Sequence, residues 1–104
     1  MDHAVIVHLP LTGTQFGSED EREAVYILED RLTDAIERDR AGEFDGNEFG
    51  GGECTLYMYG PDADRLFNAV APLLRLNPLA RGGYAVMRYG EASDPLAFEK
   101  RVAL

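Results

Sequence analysis

Gly42–Asp64, GEFDGNEFGGGECTLYMYGPDAD, is the stretch whose reading decides the fold. After Gly50-Gly51-Gly52, residues Cys54 to Tyr59 alternate Cys/Leu/Met against Thr/Tyr/Tyr, the period-two signature of a strand with two unlike faces. Two turns upstream are conceivable. Asp45-Gly46 suits a tight type I′ turn, and the three glycines suit a turn further on. The second is preferred, because the first leaves only Asn47 to Phe49 to pair with the following strand. Gly46 then lies inside a strand and marks a bulge or a close backbone approach, with Asp45 bonding to nearby N–H groups.

Working outward, Ala4 to Leu9 form an apolar strand broken only by His8 and limited by Pro10. Ser18-Glu19-Asp20-Glu21 fits a capping box, and Val25, Leu28, Leu32, Ala35 and Ile36 follow at helical spacing. Gly42 is the expected stop of that helix. Downstream of the hairpin, Pro61 is expected at the first position of a second helix, with Asp62 and Asp64 in its acidic first turn. Leu66, Phe67, Val70 and Leu73 or Leu74 form the buried side of this helix, Pro72 is expected to bring a kink or a fresh turn, and Asn77-Pro78 ends it. Gly83 to Tyr89 reads as a fourth strand, Asp94-Pro95 as a turn, and Phe98 to Leu104 as a final edge strand.

The order strand, helix, strand, strand, helix, strand resembles the ferredoxin-like βαββαβ fold, an α+β class with both helices on one face of an antiparallel sheet. The resemblance covers nearly the whole chain, 1–104, as a single domain, and concerns element order alone. The run GEFDGNEFGGG…YGPDADRLF also looks like one found in small uncharacterised bacterial proteins, a likeness that implies no activity. One cysteine cannot hold an iron–sulfur cluster, and the fold hosts many unrelated functions.

Composition narrows the classes. The 104 residues carry 19 acidic against 10 basic side chains, a net charge of −9, which disfavours nucleic acid and anionic membranes as partners. No signal-peptide pattern or membrane-spanning run is present, so a cytoplasmic location is expected. Cys54 falls on the inward side of its strand, as a small hydrophobe. With Cys54, Leu56 and Met58 inward, Thr55, Tyr57 and Tyr59 point the other way. The outward set is then Ile6, His8, Tyr57, Tyr59, Tyr84, Val86 and Arg88. So apolar a face marks an interaction site, unless the C-terminal segment folds across it.

His8 is a conceivable acid or base beside Tyr57 or Tyr59, but no spacing fixes a second catalytic group. Asp45, Asn47, Glu48 and Glu53 are oxygen donors near glycines whose spacing does not match a calcium loop, so no metal and no cofactor are expected. The triple glycine lacks the Lys-Ser/Thr of a phosphate loop. The reading with most support is a small acidic interaction domain, non-enzymatic, self-associating (a homodimer at the simplest) through its open sheet face. One alternative places a small-molecule pocket, with His8, Tyr57, Tyr59 and Arg88 around it, between that face and a second subunit. A further one is an acidic inhibitor or immunity-type protein bound to a basic partner protein.

Overall fold

The computed structural model describes residues 2–104. Five strands, β1 (His3–Pro10), β2 (Glu43–Gly50), β3 (Glu53–Gly60), β4 (Tyr84–Arg88) and β5 (Glu99–Ala103), form an antiparallel sheet in the order β2-β3-β1-β4-β5. Helices α1 (Glu19–Arg38) and α2 (Ala63–Leu76) pack on one face, and a short 3₁₀ turn, Pro78–Ala80, follows α2. The first four strands and two helices make the ferredoxin-like arrangement, with β1 and β3 central. β5 is an addition outside β4.

The core lies between helices and sheet. Val5, Val7, Leu9, Leu56 and Met58 from the central strands meet Val25, Leu28, Leu32 and Ile36 of α1 and Leu66, Val70 and Leu74 of α2, all fully or almost fully buried. Each strand contributes every second residue, because successive side chains leave a pleated strand on opposite sides. Cys54 belongs to this set. Desolvation, then the Glu29 carboxylate, pushes its thiol up to about 12, so it stays protonated as a packing group.

α1 opens as its sequence dictates. Ser18 caps the Glu21 N–H, and the Glu21 side chain accepts from the Ser18 N–H at 3.0 Å and the Thr12 N–H at 2.9 Å. The Ser18 bond, then the Thr12 bond, hold the Glu21 carboxyl below the usual carboxylate value. The folded chain keeps this group ionised to lower pH than the unfolded chain does. Its contribution is therefore present above the ordinary glutamate value and lost as pH falls through the lower folded one. In Glu21→Gln, the deficit in melting temperature relative to the parent should shrink as the buffer is taken from about pH 6 to about pH 3. A deficit that stays constant over that range would detach Glu21 from the acid dependence.

The end of α1 departs from expectation. Arg40, not Gly42, takes the left-handed position (φ 50°), with Arg40 N–H bonded to Glu37 O and Ala41 N–H to Ile36 O, the paired bonds of a Schellman motif. Gly42 serves another purpose. It and Gly60 face one another where the chain enters β2 and leaves β3. A Cβ on Gly42 would collide with the Tyr59 carbonyl oxygen, and one on Gly60 with the Ala41 carbonyl oxygen.

Two further expectations need correction. Pro61 lies before α2, because Asp62 stays extended (φ −145°) to cap the N–H groups of Asp64 and Arg65, and Ala63 is the first helical residue. α2 also runs as one helix through Pro72, so no fresh turn begins there. The proline sits on the exposed side of the helix, where the carbonyl it leaves unbonded reaches water.

In the hairpin, β2 runs through Asp45-Gly46-Asn47 and turns at Gly51-Gly52, whose φ values of 63° and 80° are those of a primed turn. The pairing shifts between Phe44 and Gly46, leaving Asp45 as the extra residue of a bulge. Gly46 adopts φ 118°, a conformation open to glycine and strained for other residues. Gly46→Ala should therefore destabilise the fold by about 1–3 kcal/mol although a Cβ there would touch nothing within 4 Å. A denaturant melt showing stabilisation would refute the strain. The expected bonds from Asp45 to backbone N–H groups are absent among the described residues: its side chain is exposed at the bulge.

Candidate functional site: the open face of the sheet

The face away from the helices is built from cross-strand rows. The middle row runs Gly46, Tyr57, Ile6, Val86, Arg101 from β2 to β5. On one side of it lies Glu43, Tyr59, Ala4, Arg88, Glu99, and on the other Glu48, Thr55, His8, Tyr84, Ala103. Ile6, His8, Tyr57, Tyr59, Tyr84, Val86 and Arg88 thus come together on one continuous surface, all half-buried by mutual contact. Tyr84, opposite His8 in register, is on that surface. The C-terminal segment does not cross it. It pairs as β5 along the outer edge of β4, where Val102 and Leu104 turn back to the core.

Contacts within the face hold its side chains in place. The His8 ring stacks on Tyr84 with centroids 4.6 Å apart and planes 17° from parallel. His8 Nδ1 lies 3.0 Å from Glu53 Oε1; a carboxylate can only accept, so Nδ1 carries the proton. The Arg101 guanidinium carbon sits 3.6 Å from the Tyr84 ring centroid, a close cation–π contact. Arg88 turns to the β4–β5 loop, donating to Glu99 Oε2 at 2.9 Å and to the carbonyls of Glu91 and Asp94. It is therefore already paired and has little reach for an anionic ligand.

Among the members of this face that escaped the sequence reading are Glu53 and Arg101. Glu53 precedes the alternating run, and its partnership with His8 depends on the β1–β3 register, which no local pattern fixes. Arg101 had a legible signal. With Val102 and Leu104 inward, the residue before them must point outward.

The His8–Glu53 pair has the form of an oriented base, yet among the described residues no third group is hydrogen-bonded to it to complete a reactive constellation. A shallow hollow of about 460 Å³ does open on this face, lined by Asp2, Ala4, Tyr59 and Gly90 to Ala92 at its far end. Neither His8 nor Arg88 reaches it. Of the candidate oxygen donors, Glu53 is engaged with His8, Asn47 donates its amide N–H to Glu29, and no group of three or more His, Cys, Asp or Glu among the described residues is placed to hold a metal ion. No helix among the described residues is long and apolar enough to cross a membrane. Comparison with protein-family models, curated proteins and solved structures finds no match to this chain.

Proposed function

We propose that the chain is a non-enzymatic interaction domain that pairs with a second copy of itself through the open face of its sheet. The observation that carries this reading is the uncovered middle row Tyr57–Ile6–Val86 with Tyr59 and Tyr84 beside it. Monomeric proteins rarely present a continuous aliphatic and aromatic surface of this kind to water. Five strands spaced about 4.8 Å apart, with residues rising about 3.3 Å each, give a plan area on the order of 500 Å² before side-chain relief is counted. That is the scale of one partner's share in a standard interface, roughly 800 Å² of accessible surface.

The large apolar residues exposed most fully, among them Phe16, Ile27 and Leu76, are dispersed over helices and loops, whereas the half-buried ones of the sheet face adjoin one another. Sedimentation velocity at rising concentration should show a dimer. Ile6→Glu, which puts a charge at the centre of the face, should weaken the dimer by about a hundredfold or more while leaving the helix-side core intact. A parent chain that stays strictly monomeric at high concentration, with Tyr57 and Tyr59 fully accessible to solvent perturbation, would remove the proposal.

A further inference from the structure

We infer, resting on the pairing proposed above, that the two copies are related by a two-fold axis running along the strands, so that the acidic half of each face covers the arginine-bearing half of the other. The polarity of the face supports this. Glu43, Glu48 and Glu53 stand on β2 and β3, whereas Arg88 and Arg101 stand on β4 and β5 together with Glu99, which Arg88 already pairs at 2.9 Å, so that Arg101 is the uncompensated cation of that half. β1 lies between the halves and carries no carboxylate on this face, only Ala4, Ile6, His8 and Pro10.

Two sheets stacked face to face by a two-fold axis in the plane between them have two limiting arrangements. An axis across the strands lays β2 over β2 and β5 over β5, so three carboxylates meet three carboxylates and Arg101 meets Arg101. An axis along the strands, above β1, reverses the strand order of one sheet over the other. β5 then covers β2, and Ile6 meets Ile6 at the centre. The first arrangement sets three carboxylates of one copy against three of the other in a chain that already carries −9; the second sets Arg101 among the carboxylates of β2, and its one like-charge meeting, Glu43 with Glu99, involves a Glu99 already paired with Arg88. An isologous contact of the second kind closes on itself with the same patch used by both copies.

Arg101 is the residue this arrangement uses. Unlike Arg88, it has no carboxylate within 4 Å among the described residues, and its guanidinium carbon sits over Tyr84, 3.6 Å from the ring centroid. In the along-strand arrangement it arrives over the Gly46 end of the middle row, between Glu43 and Glu48 of the second copy. No side chain stands at Gly46, and the space above it is open to 4 Å. The bulge therefore leaves room for the incoming guanidinium, which can donate to carboxylates on both sides.

Directed cross-linking separates the two axes. Glu48→Cys and Ala103→Cys lie on opposite edges of the same cross-strand row, and the native Cys54 is buried. Each variant is first shown by thermal melt to fold and by sedimentation to retain the dimer. Under mild oxidation a mixture of the two should form a disulfide-linked heterodimer, while neither alone cross-links. Self-cross-linking of Glu48→Cys, or a dimeric mixture that forms no heterodisulfide, would overturn the along-strand axis while leaving the pairing itself standing. A second arm tests the charge. Arg101→Glu should weaken association at least tenfold, and adding Glu43→Lys and Glu48→Lys to the same chain should restore it. Failure of that restoration in a folded triple variant counts against the arrangement. A parent chain that is monomeric throughout would instead bring down the pairing on which this inference stands.

Discussion

Gly60→Ala is expected to destabilise the fold by about 3 kcal/mol or more, enough to lower the melting temperature by upwards of about 10 °C. Gly60 has an ordinary backbone conformation, so the cause is contact alone. The added methyl would be driven into the Ala41 carbonyl oxygen, with Ala41 C at 3.2 Å and Gly42 Cα at 3.3 Å behind it. These are backbone atoms at the entry to β2, with no rotamer to change. Relief requires separating β2 from the end of β3, and with it the route from α1 into the sheet. A thermal and urea melt of Gly60→Ala measures this; a loss below about 1 kcal/mol would show that the crossing yields cheaply.

The second large effect contrasts two adjacent residues. Leu56→Ala should cost about 2–5 kcal/mol, because Leu56 is fully buried among Val7, Leu28 and the rest of the helix-side cluster and its removal leaves a cavity. Tyr57→Ser, one residue on, should reduce the stability of the separated monomer far less, since Tyr57 is on the face no element covers. Its larger effect should fall on association. Melts at low concentration paired with sedimentation at high concentration read the two effects apart. If Tyr57→Ser damages the dilute monomer as severely as Leu56→Ala, the distinction between the two faces is wrong.

That contrast is also where the sequence was most legible. Strict alternation from Cys54 to Tyr59 assigns both faces of β3 without any other element, because a strand has only two sides. The stripe from Val25 to Ile36 assigned α1 equally well, and each of its five members is buried. Helix ends were harder to read. Glycine at 42 looked like a stop and proline at 61 like a start, whereas the stop uses Arg40 and the start uses the Asp62 side chain. In both cases local propensity named an eligible residue, and hydrogen bonding to the free helix-end groups selected its neighbour. The His8–Glu53 pair was out of reach for a different reason. It joins residues 45 positions apart through a register that depends on packing of the whole sheet.

The bulge at Asp45 and Gly46 has a consequence for the size any assembly can reach. β2 is an outer strand, and an unbroken outer strand is a template onto which another chain can add by main-chain bonding, copy after copy. Here that template is interrupted near its middle, kinked by a positive φ, and edged by Glu43, Asp45 and Glu48. The opposite rim, β5, bears Glu99, Lys100 and Arg101 in succession. Lateral growth is thus discouraged at both rims. On the pairing proposed above, the broad face is used up by its own duplicate, so that growth would stop at two and no fibre would follow.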